Sequence, residues 1–423
     1  MLNIQVLREN SEFVIDRLKV KNFDAKKIVA EIIELDNNRK TNQAERDNLQ
    51  STLNNISKQI GICFKEGKTA EAEKFKSETL SLKIKIKELE LLQQNYQSKL
   101  DDLLVLLPNI PNEEVQPGKS ENDNIEIRKG GIIPNLQNKK PHWELISKYD
   151  IIDFELGNKI TGAGFPIYKG KGAKLQRALI SFFLDQAETA GYEEVLTPLV
   201  VNEASGFGTG QLPDKEGMMY HVVNDHLYLI PTAEVPITNI YRDVILDEDV
   251  LPIKHVGYSA CFRREAGSWG AHVRGLNRLH QFDKVEIVQI QTPDKSYETL
   301  NEMVLHVESL LKKLMLPYRI VRLCGGDLSF ASALTYDFEV FSAAQERWLE
   351  VSSVSNFECF QSNRLKLRYK SKEQKKNIVA HTLNGSALAL PRIMAAIIEN
   401  YQDNEGINIP EVLIPYTGFN KIS

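Results

Sequence analysis

Cys261-Phe-Arg-Arg-Glu265 and, across a polar loop, Arg278-Leu-His-Gln-Phe-Asp-Lys-Val-Glu286 are the stretches that decide how this chain is read. The flanks Val256–Arg263 and Gln281–Gln291 are β-rich, and the loop between them carries glycines and charge, so the spacing predicts a hairpin of two strands. Alternate residues of a strand share a face. Arg263 and Glu265 are therefore expected on one face, and Phe282, Lys284 and Glu286 on one face of the returning strand. Such a sheet floor gathers an arginine, an aromatic ring and two carboxylates. An arginine there can clamp a phosphate, the ring can stack on a base, and a carboxylate can accept from an exocyclic amine. Arg274, Arg278 and His280 add groups suited to outer phosphates. From these residues alone a solvated charged hairpin stands open equally.

Outward from the hairpin, the chain from about residue 141 mixes helix and strand. Gly172–Ala190 is amphipathic through Leu175, Leu179, Phe182 and Phe183, and Gly191 follows it at a helix-ending position. Glu194-Val-Leu-Thr-Pro-Leu-Val-Val201 reads as a strand interrupted by Pro198, hence at an edge or a subunit contact. Arg347–Ser353 reads as a strand and Ser386–Asn400 as an apolar helix. Strands joined by irregular connections, without regular βαβ alternation, predict an α+β fold on an antiparallel sheet. The glycines at 164–172 lack P-loop spacing, and Gly206-Phe-Gly-Thr-Gly210 lacks the strand-to-helix context of a dinucleotide fingerprint.

The N-terminal region has a different period. Ile28, Ile32, Leu35, Arg39, Asn42, Arg46, Leu49, Leu53, Ile56 and Ile60 follow alternating steps of four and three, as do Phe75, Thr79, Leu82, Ile86, Leu89, Gln93, Tyr96, Leu100, Leu103 and Leu107. Two heptad seams of equal length around a short glycine-bounded stretch, Gly61–Gly67, predict an antiparallel two-helix coiled coil. Each arm would extend for roughly 50 Å. The polar stretch Arg39, Asn42, Arg46 is expected to fix register at a cost in stability. Pro108, Pro111, Pro117 and Pro134 make 108–140 read as a linker. The expected organisation is an arm over 1–107, a linker over 108–140 and a larger domain over 141–423.

The 423 residues, 42% hydrophobic and 26% charged, exclude a disordered chain, and 24 Gly with 16 Pro exclude a collagen-like one. No apolar run is long enough to span a membrane, and MLNIQVLREN lacks the basic and apolar regions of a signal peptide. The four cysteines form no CxxC pair, so neither a disulfide framework nor a cysteine zinc site is expected. A cytoplasmic protein is expected. The formal net charge of −5 decides nothing about nucleic-acid partners.

Phe262-Arg-Arg-Glu265 with Arg278-Leu-His-Gln-Phe282 resembles motif 2 of the class II aminoacyl-tRNA synthetases. The helix over 172–190 and the strand with Pro198 resemble motif 1, and Asn384-Gly-Ser-Ala-Leu-Ala-Leu-Pro-Arg392 resembles motif 3. Pro231-Thr-Ala-Glu234, Glu350-Val-Ser-Ser-Val-Ser-Asn-Phe357 and Thr382-Leu-Asn-Gly-Ser386 narrow the resemblance to the seryl-tRNA synthetase family, whose layout also begins with a helical hairpin. The resemblance covers essentially the whole chain. It implies a homodimer joined through motif 1, with L-serine and ATP as substrates and Mg²⁺ as cofactor. The arm is implied to bind the serine tRNA, with selenocysteine tRNA as a further substrate.

Residue by residue, Arg263 matches the arginine that holds the α-phosphate and the amino acid carboxylate. Arg264 and Glu265 belong to the ATP site, where Glu265 meets the adenine amine and Phe282 stacks on adenine. Arg392 matches the arginine on the other side of the base, near the γ-phosphate. Glu350 and Ser353 match the pair that contacts magnesium and ATP, with Val351 and Ser352 between them. Thr232, Ala233, Glu234, Glu286 and Ser386 match the serine pocket. By alternation Thr232 and Glu234 share a face. Glu350 and Ser353 do not, so a bulge is expected between them. Ala387 stands where the class often has glycine, Leu334 where many relatives carry lysine, and the segment after Pro213 diverges.

The implied chemistry is in-line attack of the serine carboxylate on the α-phosphorus, without a covalent enzyme intermediate, then transfer of the seryl group to the tRNA 3′ ribose. A coiled-coil scaffold with a degenerate synthetase domain would have lost Arg263, Glu350 or Arg392, and none is lost. A ligase that loads a carrier protein would not need the arm.

Overall fold

The computed structural model describes residues 1–214, 216–265 and 274–423, in two compact units, Met1–Lys19 with Phe23–Pro108, and Val20–Asn22 with Asn109–Ser423. The first is built from the short helices α1 (Ile4–Glu9) and α2 (Ser11–Val20) and the long helices α3 (Lys26–Lys65) and α4 (Thr69–Leu106). Ile32, Asn42, Leu53 and Ile56 of α3 and Thr79, Ile86, Leu89 and Leu100 of α4 are buried, as the two heptad seams require. Asn42 donates from Nδ2 to the Leu89 carbonyl at 2.9 Å and to Gln93 Oε1 at 2.9 Å, a bond that exists in one register only. The turn, however, does not begin at Gly61. The seam continues to buried Cys63, so α3 runs through Gly61 to Lys65 and reverses around Gly67, whose φ is +74°. The ~1 kcal/mol cost of a helical glycine is outweighed by the added packing. Asp36, outside the expected seam, is also buried. Burial alone would raise its carboxyl, but bonds from Arg8, Arg39 and Lys40 outweigh this and hold it at about 2.

The second unit is organised on an eight-stranded sheet. Its elements in chain order are β1 (Ile125–Gly130), α5 (His142–Lys148), α6 (Gly170–Thr189), β2 (Glu193–Glu194), α7 (Glu203–Thr209), α8 (Glu234–Asn239), β3 (Ile253–Phe262), β4 (Gln281–Gln291), α9 (Ser296–Lys313), β5 (Tyr318–Arg322), β6 (Leu334–Ser342), β7 (Arg347–Glu358), α10 (Phe360–Leu365), β8 (His381–Ala389) and α11 (Leu390–Asn400). The spatial order is β1-β5-β6-β7-β8-β4-β3-β2, antiparallel except where β2 runs parallel to β3 at one edge.

Three expectations need correction. Residues 108–140 are not a linker. Asn109 and Val115 are buried, and 125–130 pairs with 318–322 as the edge strand of the sheet, a long-range partner that local proline content does not reveal. Ser386–Ala389 is the end of β8 rather than the start of a helix. Helix α11 opens at Leu390 with Pro391 in its first turn, where a missing N–H costs nothing. The strand expected over 194–201 is split about Pro198 into β2 and a short strand at Val200–Asn202.

One face of the sheet carries the core. Leu175, Leu179, Phe182 and Phe183 of α6, Met303, Val307 and Leu310 of α9, and Ile393, Met394 and Ile397 of α11 pack against Val285, Ile287, Phe338, Val351 and Leu383. Period two then sends Lys284 and Glu286 to the opposite face. There α8 covers Val288 through Ala233 and Ile237. Leu334 and Ala387 both pack into the core, the first at 1% exposure and the second at 0%. Among the described residues no helix is long and apolar enough to cross a membrane.

Candidate active site

The polar face of β4 and β8 is built by register. Glu286 lies opposite Ser386 across the ladder and Gly257 on the other side. Its carboxylate accepts from Lys284 Nζ at 2.6 Å, Asn384 Nδ2 at 3.1 Å and Ser386 Oγ at 3.5 Å. Lys284, Glu286 and Ser386 are all buried. Ion pairing and two further donors offset the cost of burying the charge.

Glu234 reaches the same pocket by another route. Pro231–Glu234 is not a strand. Glu234 opens α8, with Ala233 at the cap and the Thr232 hydroxyl accepting from the Glu234 N–H at 3.2 Å. Thr232 and Glu234 therefore meet through a helix start, not through strand alternation. Burial, with the charge of Glu286 adding to it, pushes the Glu234 carboxyl up to about 7.

Arg263 and Glu265 also lie beyond the end of β3, and Glu265 has φ +50°. Strand parity does not operate there. Arg263 donates from Nε to the Pro231 carbonyl at 3.3 Å, and its guanidinium carbon lies 5.3 Å from the centre of the Phe282 ring. Glu265 is paired with Arg278, while Arg264 is exposed and anchored through its N–H to the Met218 carbonyl at 2.9 Å. The loop residues Ala266–Val273 lie outside the described residues. Burial pushes the Cys261 thiol up, so this cysteine stays protonated beside the site.

The expected bulge is present. Phe338 pairs with Ser352 and Glu339 with Glu350, leaving Val351 as the extra residue. The offset brings Ser353 Oγ to 3.4 Å from Glu350 Oε1. Val351 is in the core, and buried Ser352 donates to the Ser386 carbonyl at 2.5 Å, so neither side chain opens onto the face that Glu350 occupies. Arg392 Nη1 donates to the Glu350 carbonyl at 2.6 Å, and its Nε to the Asn277 carbonyl at 3.1 Å.

Several residues around the candidate site gave no signal in the sequence. Asp337 pairs across the ladder with Ser353, and its buried Oδ1 has no hydrogen-bond partner among the described residues. Burial and the neighbouring Glu350 raise its carboxyl well above the usual range. His142 is fully buried with Nδ1 2.7 Å from Glu399 Oε1, and the Leu276 N–H is aimed at its Nε2 at 2.9 Å. An N–H pointed at Nε2 requires a lone pair there, which puts the ring proton on Nδ1. Gly275, at φ +68°, is needed because a Cβ there would lie 2.3 Å from His142 Nε2. The brace thus holds the turn whose Asn277 carbonyl receives Arg392, and Glu399 sits two turns beyond Arg392 on the same helix. Gln361, likewise unforeseen, lies behind Glu234.

An antiparallel sheet with an arginine-bearing hairpin, a bulged strand carrying Glu350 and a helix opening on Arg392 defines a class II aminoacyl-tRNA synthetase core. The family model for the tRNA synthetase class II core domain (G, H, P, S and T) matches residues 220–401, and that for the seryl-tRNA synthetase N-terminal domain matches residues 1–111. A serine–tRNA ligase of Salinibacter ruber is 48% identical, over 100% of this chain and 99% of its own. Crystal structures of a Pyrococcus horikoshii seryl-tRNA synthetase complexed with ATP (TM-score 0.94, 34% identity) and of a cytoplasmic Naegleria fowleri serine–tRNA ligase with AMP (TM-score 0.89, 27% identity) each cover 100% of this chain and are covered to 99%. The chain belongs to the seryl-tRNA synthetase family. The match over the arm and the full-length relatives disfavour both the scaffold and the carrier-protein readings.

Proposed function

We propose that the polar face of β4 and β8 binds L-serine beside ATP, forms seryl-adenylate and passes the seryl group to the 3′ ribose of serine tRNA. The chain is a serine–tRNA ligase, an ATP-dependent aminoacyl-tRNA ligase. The observation that carries the site reading is that Arg263, lying against the Phe282 ring, is close to a buried pair of carboxylates, Glu234 and Glu286.

Thr232, Ala233, Glu234, Glu286 and Ser386 line the serine pocket. On ATP binding Arg263 exchanges the Phe282 ring for the α-phosphate, trading a cation–π contact for a stronger charge-assisted bond. The vacated ring takes adenine, Glu265 accepts from its exocyclic amine, and Arg392 closes the far side. These groups position an in-line attack and meet the charge that builds on the α-phosphate. Alanine leaves the buried pocket polar groups unpaired, a penalty that can reach about 10⁴-fold.

Glu350 and Ser353 would hold Mg²⁺. Oxygen donors suit this hard cation, and Asp337, the cross-strand partner of Ser353, has an Oδ1 without a hydrogen-bond partner among the described residues, which fits a cation lying nearby. When bound, the ion neutralises phosphate charge and orients the leaving pyrophosphate. The arm reads the tRNA. The protein works in the cytoplasm and as a homodimer, and the dimer is supported by Leu196 at 84% exposure and Leu199 at 40% beside Pro198. Pyrophosphate exchange with each amino acid in turn tests the activity. Serine alone should support exchange, and exchange driven equally by another amino acid overturns the reading.

A further inference from the structure

The two pocket carboxylates are held differently. Glu286 has the Lys284 ammonium at 2.6 Å. Among the described residues Glu234 forms no ion pair, and its carboxylate Oε1 instead accepts from the neutral amide of Gln361, Nε2 to Oε1 at 2.6 Å.

Gln361, on α10, is 1% exposed, and its amide is fully employed. Nε2 also donates to the Thr209 carbonyl at 3.2 Å, and Oε1 accepts from the Thr382 hydroxyl at 2.7 Å. A carbonyl can only accept, so the Thr209 contact fixes the nitrogen on the Glu234 side. Flipping the amide would set oxygen against two acceptors. Helix α10, the end of α7 and strand β8 therefore converge to aim one N–H of this amide at the Glu234 carboxylate while the other is held by the Thr209 carbonyl.

The charged groups acting on Glu234 are Glu286 and Lys284 from β4 and Arg263 from the end of β3. Burial and Glu286 favour its protonated form, while the Gln361 bond, Lys284 and Arg263 favour the ionised one. An ammonium substrate needs the ionised form.

We propose that Gln361 is a positioning residue, whose amide orients the Glu234 carboxylate so that the pocket accepts the ammonium of serine. The inference rests on the assignment of Glu234 to the serine pocket. Losing a hydrogen bond to a charged group should move the acid limb of kcat/KM for serine up by about one pH unit, a fall of about tenfold below that limb.

The test measures serine-dependent pyrophosphate exchange across pH for Gln361→Met, for the near-isosteric Gln361→Glu and for Glu234→Gln. Both Gln361 variants should lose kcat/KM for serine at pH 6.5–7 and recover toward the native value as pH rises, with KM for ATP nearly unchanged. Gln361→Glu, placing a second carboxyl against Glu234, should shift the limb further and guards against misfolding of the methionine variant. A native acid limb in the Gln361 variants, or an equal loss at every pH, overturns the proposal. If Glu234→Gln itself leaves serine kcat/KM intact, the pocket assignment fails instead.

Discussion

Arg263 is held by a carbonyl and an aromatic ring rather than by a carboxylate, so its charge is available to a phosphate. Arg263→Ala should abolish serine-dependent pyrophosphate exchange while the thermal midpoint stays close to native, since among the described residues Arg263 forms no ion pair. Arg263→Lys should not restore exchange, because a point charge lacks the bidentate fork. Retained exchange in a folded Arg263→Ala protein removes the residue from the mechanism. Glu286 has a second role that complicates its removal. Glu286→Ala should weaken serine binding by about 1–3 kcal/mol and narrow the preference over alanine. It also strands buried Lys284, which costs about 3–5 kcal/mol of stability. Glu286→Gln keeps the volume and a partner for Lys284, so comparing the two by thermal melting and by serine-versus-alanine exchange separates recognition from folding. Unchanged discrimination in both variants assigns the serine hydroxyl to another group.

Among the elements, β4 was legible in the sequence because it is central and covered on one face by helices, which enforces period two on Val285 and Ile287 against Lys284 and Glu286. The same rule failed at Arg263 and Glu265 and at Thr232 and Glu234, because those pairs lie just outside strands. A mismatch of parity between Glu350 and Ser353 was itself informative and located the bulge at Val351. What stayed hidden depends on contacts distant in sequence, as with the edge strand at 125–130 and the brace between His142 on α5 and Glu399 on α11. The brace yields a prediction at this scale. His142→Ala leaves the buried Glu399 carboxylate one donor short and the Leu276 N–H without its acceptor, a loss of about 1–3 kcal/mol for each group. Because the released turn supplies the Asn277 carbonyl to Arg392, KM for ATP should rise more than KM for serine. Melting together with the two KM values checks this, and a parallel change in both KM values makes the brace purely structural.

For the molecule as a whole, the division into two compact units predicts that the two chemical steps can be separated. Replacing Ile28–Leu107 by a short flexible linker should leave serine activation largely intact, since the motif residues and the core beneath them belong to the second unit. Charging of tRNA should be nearly abolished. In the intact enzyme charging should weaken steeply with salt while activation changes little, because phosphate contacts release counterions. Pyrophosphate exchange and seryl-tRNA formation on one truncated protein decide it. Equal loss of both makes the arm structural, and retained charging places tRNA recognition elsewhere.

The bond from Asn42 to Leu89 and Gln93 also constrains how such an arm can vary. With the two helices locked in phase at one point, segments added beyond it keep apolar residues facing each other only if both helices gain whole heptads. Length then behaves as a graduated scale with marks about 10 Å apart. Redesign of reach toward a larger or smaller RNA would have to proceed by those increments, with shorter insertions tolerated only where the two helices part at the turn.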